Sequence, residues 1–410
     1  MTRVVITGMG AITPLGNNVQ DFLDGIYSNQ VGIAPITHFD ASETGITVAG
    51  EVKGYDPAER VGKREARKMD IFAQYGVHAA GEALEQAGLK DGFKNPARVG
   101  VVLGNGIGGL TTIQDNVIKM NQKGPQRVSP LFVPNGIPNM ASGNVSLRYG
   151  AQGVNYTIST ACASATNAIG ESYLRIKHGL NDMMITGGTE GTINEIGIAG
   201  FAALTALSTA TDPLQASTPF DVNRHGFVMG EGAGVLILES LAHATARGAK
   251  IIAEVVGYGA NSDAYHLTSP TPDGSGPAGA MQLAIDDAQL EPADIDYVNA
   301  HGTATGANDA AEAKALALTF GPRGVLTSST KGMTGHLLGA AGAIEAIAAI
   351  GAFEKHYLPE NVGLTNQDPD TMDALLVDAE NKQVDPKYVL SANYGFGGHN
   401  AAIIFKKWEN

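Results

Sequence analysis

One ordered set of apolar runs and glycine turns occurs twice along this chain, and a chain that repeats its own order must fold as two similar units. The runs Arg3–Thr7 and Val99–Leu103 end in Gly8-Met-Gly10 and Gly104-Asn-Gly-Ile-Gly-Gly109. A β-branched run before Cys162 is followed by an Ala-rich helical segment, Ala163 to about His178. Asp182–Glu190 gives a further strand with a glycine turn, and Val235–Glu239 closes the set. From Ile251 the order returns. Ile251–Val256 matches the first strand, and Asp296–Ala300 with His301-Gly-Thr-Ala-Thr-Gly306 matches the second. Val325–Thr330, Lys331 and a helix from about Gly339 match the strand, cysteine and helix. Tyr388–Asn393 with Gly395-Phe-Gly-Gly398 matches the strand and turn after them. The expected organisation is two fused copies, 1–250 and 251–410, each of strands joined by helices. Such an α/β fold gathers ligands at the carboxyl ends of its strands, where the matched turns lie.

The totals exclude several classes. With 43% hydrophobic and 17% charged residues the chain reads as an ordinary globular protein. A formal net charge of -14 argues against non-specific nucleic-acid binding and confines any acidic partner to a local basic patch. The longest apolar run, Leu337–Phe353, is interrupted by Glu345 and built mostly of Ala and Gly, so it reads as a core helix and not a membrane span. The single cysteine excludes an internal disulfide and fits a reducing cytoplasm. Met1-Thr2-Arg3 enters an apolar strand at once, without the pattern of an export signal. Gly8-Met-Gly10 lacks the third glycine of a dinucleotide fingerprint, Thr13 standing in its place, which argues against a dehydrogenase.

Cys162 lies on a strand-to-helix turn, where free N–H groups and the helix dipole are expected to favour a thiolate. If the two copies face each other, it meets the turns carrying His301, Lys331, His336 and Phe396. Two imidazoles beside one sulfur suit acid, base or oxyanion roles. A basic cluster, Lys63-Arg64-Glu65-Ala66-Arg67-Lys68, opens a helical pattern expected to run to about Gly88.

Thr160-Ala-Cys-Ala-Ser164, His301-Gly-Thr-Ala-Thr-Gly306 with Asn308-Asp309, Lys331-Gly-Met-Thr-Gly-His336 and Gly395-Phe-Gly-Gly398 resemble the signature blocks of β-ketoacyl-acyl carrier protein synthases. So do Val4–Gly16, Pro219-Phe-Asp221 and Gly226–Gly234, so the resemblance runs nearly from end to end. It implies a thiolase-like fold of five αβαβα layers built from two pseudo-symmetric halves, usually a homodimer. Ile107 resembles the elongating type II enzymes, where type I enzymes tend to have Gly. The Cys, His, His set separates the chain from initiating synthases with Cys, His, Asn, and the lack of a second Cys separates it from degradative thiolases.

The resemblance further implies the roles of individual residues. Cys162 takes the acyl chain, and the N–H groups of Cys162 and Phe396 form an oxyanion hole. His301 and His336 stabilise an enolate as malonyl-acyl carrier protein loses CO2. Lys331 and Glu345 form a pair that holds His336. Thr303, Thr305, Thr268 and Ser269 hold the pantetheine arm, and Ile107, Phe201 and Phe396 line an acyl tunnel. Lys63, Arg64, Arg67, Lys68 and Arg127 dock the acidic carrier protein. No cofactor is implied beyond the phosphopantetheine that arrives on the carrier. A structural monovalent cation is implied at Asn299, Ala300, Glu345 and Ser391, although Ala392 stands where the pattern has Asn. His225, Thr218 and His399 are departures from the pattern without an assigned role. The alternatives are a polyketide or type I relative and a non-catalytic partner that binds acyl carrier protein; the latter predicts a replaced nucleophile.

Overall fold

The structure, a computed structural model, describes residues 2–409, so Met1, on which the reading of an unexported start partly rests, lies outside the described residues. The first half contributes strands β1 (Val4–Ile12), β2 (Val99–Gly104), β3 (Asn155–Ile158), β4 (Met183–Glu190) and β5 (Gly232–Ser240). They lie side by side in the order β3-β2-β4-β5-β1. The second half contributes β6 (Ala253–Ser262), β7 (Tyr297–Asn299), β8 (Leu326–Ser328), β9 (Tyr388–Gly395) and β10 (His399–Lys407), in the order β8-β7-β9-β10-β6. Counted from its own first strand, each half runs third, second, fourth, fifth, first. The senses also match: β2 is parallel to β3 and β4 as β7 is parallel to β8 and β9, and the remaining pairs of each half are antiparallel. The halves join where β1 meets β6, Val4–Ile6 pairing antiparallel with Val255–Ala253. A short strand, Leu375–Leu376, extends the sheet beyond β8.

Six helices complete the layers: α1 (Ile71–Gln86), α2 (Met140–Tyr149), α3 (Ser164–Lys177), α4 (Ser275–Ala288), α5 (Gly306–Phe320) and α6 (Ala341–Lys355). Strand alternation decides which face each helix covers. Val101 and Leu103 turn outward to Phe72 and Leu84 of α1, while Val102 turns inward to the cluster holding Ile169 of α3 and Ile344 of α6. In the second half Tyr297 joins that inner cluster, and Val298 turns outward to Met281 of α4 and Leu316 of α5. The result is helix, sheet, helix, sheet, helix, with α3 and α6 in the middle. The run from Leu337 to Phe353 is buried throughout, as expected of a core helix.

Two local expectations need correction. Gly8-Met-Gly10 is not a turn but the middle of β1. A Cβ on Gly8 or Gly10 would lie 2.1 or 1.9 Å from the carbonyl oxygens of Ala83 and Ala79, so these glycines admit α1 against the strand. The basic cluster does not open one long helix either. It forms a short one, Lys63–Ala66, and the chain restarts at α1, where the Asp70 side chain accepts from the N–H of Phe72.

Candidate active site

The turns that carry Cys162, His301, His336 and Phe396 meet at one cavity of about 310 Å³. Cys162 follows β3, His301 follows β7, His336 follows the helical turn Lys331–Thr334 after β8, and Phe396 follows β9. All but Lys331 among these five residues line the cavity, together with Phe201, Thr268, Ser269, Thr303 and Thr305. The sulfur of Cys162 and one ring nitrogen from each of His301 and His336 lie within 4.8 Å of one another. The two imidazoles meet edge to face, 5.2 Å between ring centres.

Both histidines are buried, and burial drives them well below the usual imidazole range. The Lys331 ammonium pushes both in the same direction, and His336 adds to the effect on His301. Both are therefore neutral rings with an N–H to donate. Cys162 departs from expectation. Burial pushes its thiol up to about 12, with Glu190 and Glu345 adding to the rise. Lys331 and the residue's own N–H pull the other way without winning. The position two residues before α3 does not outweigh the loss of water.

Lys331 and Glu345 pair as the resemblance implies, Nζ to Oε1 at 2.5 Å, both 1% exposed. Their anchor is His301 rather than His336. Lys331 Nζ donates to the His301 carbonyl. Asn393, absent from the sequence reading, donates through Nδ2 to Glu345 Oε2 at 2.6 Å and faces His301 Nδ1 at 3.3 Å. Its Oδ1 accepts from Thr166 of α3. His336 has a buried Nδ1 without a partner among the described residues. Asn393 was detectable only as an amide inside an apolar strand run.

Two further carboxyls escaped the sequence reading. Glu190 Oε2 accepts from the N–H groups of Gly106 and Gly339 at 2.9 and 3.1 Å, and Glu312 accepts from those of His301 and Gly302 at 2.7 Å each. Burial pushes each carboxyl up to about 7. Glu312 thereby fixes a turn in which Gly302 has φ +39°.

At the glycine turn, a Cβ on Gly395 would lie 3.2 Å from the backbone nitrogen of Cys162, so the turn packs directly against the nucleophile's main chain. Phe396 is partly exposed and tilts toward Phe201, 6.5 Å between centres. Thr303 and Thr305 share a hydroxyl bond of 2.9 Å. Ile107 is not part of the cavity wall. It packs in an apolar cluster with Cys162, Phe201, Phe227 and Leu338. His225 lines the cavity at an exposed position.

Lys63, Arg64, Arg67, Lys68 and Arg127 are all exposed, and none lines the cavity. Lys68 is paired with Glu65 at 2.9 Å. At the implied cation position, Asn299 and Ser391 lie opposite each other on β7 and β9, and Asn299 Oδ1 and Ser391 Oγ are buried without partners among the described residues. Such neutral oxygens suit a monovalent cation. Glu345, however, has both oxygens bonded to Lys331 and Asn393, and Ala392 brings no side-chain ligand. Of the implied ligands, only the Asn299 and Ser391 side-chain oxygens are left without partners among the described residues.

Comparison with known proteins agrees with this geometry. The family models for the beta-ketoacyl synthase N-terminal and C-terminal domains match residues 1–244 and 252–365. The chain is 47% identical over 409 residues to 3-oxoacyl-[acyl-carrier-protein] synthase 2 of Staphylococcus aureus (strain COL), covering 99% of each. It is 47% identical to the protein of that name from Vibrio harveyi, covering 99% of this chain and 98% of the relative. Among solved structures, a beta-ketoacyl synthase from Burkholderia phymatum STM815 superposes with a TM-score of 0.93 at 36% identity over 100% of both chains. A ketosynthase structure described as a type II PKS acyl-carrier protein in complex with its ketosynthase bound to the hexaketide gives 0.90 at 30% identity, over 99% of this chain and 100% of the other. With the duplicated sheet, the sulfur between two neutral imidazoles and family models that together span most of its length, the chain belongs to the β-ketoacyl synthase family of thiolase-like condensing enzymes.

Proposed function

We propose that this protein elongates acyl chains by decarboxylative condensation of malonyl-acyl carrier protein with an acyl group held on Cys162, as in fatty acid synthesis. The observation that carries this reading is the placement of Cys162 within 4.8 Å of two neutral imidazoles in one cavity. First, the Cys162 sulfur attacks the carbonyl of an acyl thioester delivered on phosphopantetheine. A new C–S bond forms, and the pantetheine thiol leaves with the proton. The oxyanion of this step is met by the N–H groups of Cys162 and Phe396, neither of which has a turn or loop backbone partner among the described residues.

Next, the bond between the malonyl carboxylate and C2 breaks. Its electrons move onto the thioester oxygen, where His301 and His336 donate. One oxyanion donor is worth about 2.7–4 kcal/mol in a measured case, so a pair can supply several kcal/mol. C2 then attacks the Cys162 thioester, the sulfur leaves, and the 3-oxoacyl chain departs on the carrier. Neutral histidines suit this role, since an imidazolium could not be held so deeply buried.

Thr303, Thr305, Thr268 and Ser269 on the cavity wall suit the amides of the pantetheine arm. Phe201 and Phe396 suit the apolar tail, with Ile107 behind them. The exposed Lys63, Arg64, Arg67, Lys68 and Arg127 suit an acidic carrier protein. A homodimer is supported by β3, whose outer edge pairs with no strand among the described residues. The chain leading to it exposes Val117, Ile118, Val133 and Leu147.

The test is mass spectrometry of the protein after incubation with acyl thioesters, carrier-bound and pantetheine-bound. The expected result is one acyl mass on Cys162, absent from Cys162→Ala. Reversing Arg64, Arg67 and Lys68 to Glu should slow loading from the carrier while sparing the free thioester. A protein that gains no acyl mass from any chain length is a non-catalytic partner, and equal slowing with both donors removes the docking role.

A further inference from the structure

We propose that Asn393 is a positioning residue that sets the tautomer of His301, and so determines which of its nitrogens can donate to the enolate; this rests on the condensing role given to His301 above. The side-chain amide of Asn393 is wholly buried and has three neighbours. Nδ2 donates to Glu345 Oε2 at 2.6 Å, Oδ1 accepts from the Thr166 hydroxyl, and Nδ2 also faces His301 Nδ1 at 3.3 Å.

The orientation of an amide is fixed by its partners. Turned over, Asn393 would set its carbonyl oxygen against the Glu345 carboxylate, a repulsive contact between two buried groups. Glu345 is held against the Lys331 ammonium at 2.5 Å. The ion pair thereby directs the NH2 of Asn393 toward His301. An amide N–H needs a lone pair, so Nδ1 of His301 must be unprotonated, and the ring's proton resides on Nε2.

Nε2 is the nitrogen left to face Cys162 and His336, whose ligand atoms lie within 4.8 Å. The consequence is specific to one half-reaction. Enolate formation needs an N–H aimed into the cavity, whereas acyl loading of Cys162 relies on backbone N–H groups. Lys331 bonds the His301 carbonyl, so the same ion pair fixes both main chain and ring of this residue.

Two measurements decide the matter. In the unaltered protein with 15N-labelled histidine, the His301 resonance, assigned by its loss in His301→Ala, should be that of a neutral ring protonated at Nε2. A ring protonated at Nδ1 overturns the proposal without recourse to any Asn393 variant. In Asn393→Asp, whose carboxylate accepts from Nδ1, the proton should move to Nδ1. CO2 release from malonyl carrier protein should then fall on the order of 100-fold, with acyl loading of Cys162 changed less than about twofold. Asn393→Ser, which retains a donor, should recover part of the loss. An unchanged tautomer in the Asp variant, or equal falls in both half-reactions, would show that Asn393 only packs. Failure of acyl loading in the unaltered protein would instead refute the condensing role itself.

Discussion

At Cys162 two physical effects compete, and burial wins. Sequence places the sulfur just ahead of a helix, where a dipole favours the thiolate, but sequence does not reveal the cavity walls around this half-buried position or the Glu190 and Glu345 carboxyls that push the other way. The same burial keeps His301 and His336 neutral, with a measurable consequence for stability. Both rings bind a proton in the unfolded chain below the ordinary value of 6.5 and refuse it in the folded one. Their contribution is whole above that pH and is lost as pH falls. Glu190 and Glu312, raised to about 7, act oppositely: the folded state holds their protons at pH values where the unfolded chain has released them. Replacing both histidines with Gln should therefore remove their term and leave those of the other titrating groups. Relative to the unaltered protein, the double variant should gain stability from pH 6.5 to 5, by up to about 1.4 kcal/mol per pH unit for each histidine. Urea denaturation at several pH values reads this directly, and identical pH slopes would mean that the buried rings carry charge. The cysteine and histidines were legible because their chemistry is rare, Cys162 and His301 following strands and His336 the helical turn Lys331–Thr334. Asn393 was not, because an amide carries no sign of what lies opposite it until the halves are folded together.

Between elements, the decisive contact is the crossing of α3 and α6. These helices come from different halves, and they approach closely because Gly342 has no side chain. A Cβ there would lie 2.0 Å from Thr166 Oγ1, 2.6 Å from Asn393 Oδ1 and 3.0 Å from the Thr166 nitrogen. One glycine thus admits both the helix that follows Cys162 and the amide beside His301. Gly342→Ala must push the helices apart or displace Thr166. The expected cost is about 1–3 kcal/mol, seen as a lower urea midpoint at unchanged slope, with condensation falling further than the loss of folded protein explains. Full activity in this variant would mean that the crossing has slack. The sequence pattern predicted α3 from its Ala-rich run after Cys162, and the core placement of α6 from the long apolar run Leu337–Phe353. It failed for β1, where Gly8 and Gly10 were read as a turn. Glycines that admit a neighbouring helix and glycines that reverse the chain look identical in one dimension.

For the whole molecule, the repeated strand order means that each half alone presents half a site. The sulfur belongs to the first half and both imidazoles to the second, so the site exists only when the inner faces close over α3 and α6. That closure leaves β3 on the outside, with a free edge and Tyr156 exposed. A free edge against which the helix of Leu147 packs, Leu147 being 79% exposed, is a surface that invites a second strand and a second apolar face. In the proposed homodimer a second copy of the chain would meet both needs by twofold symmetry, with β3 beside its equivalent. Sedimentation at micromolar concentration should then give twice the 42.4 kDa chain mass. Replacing Leu147 and Tyr156 with Asp should bring it to the single-chain value. Because Ile158 at the end of β3 is only four residues from Cys162, separation should also lower the rate of acyl loading. An unaltered protein that sediments as one chain would remove the dimer, and a monomeric variant loading at full rate would show that the edge strand stabilises the pair without shaping the nucleophile.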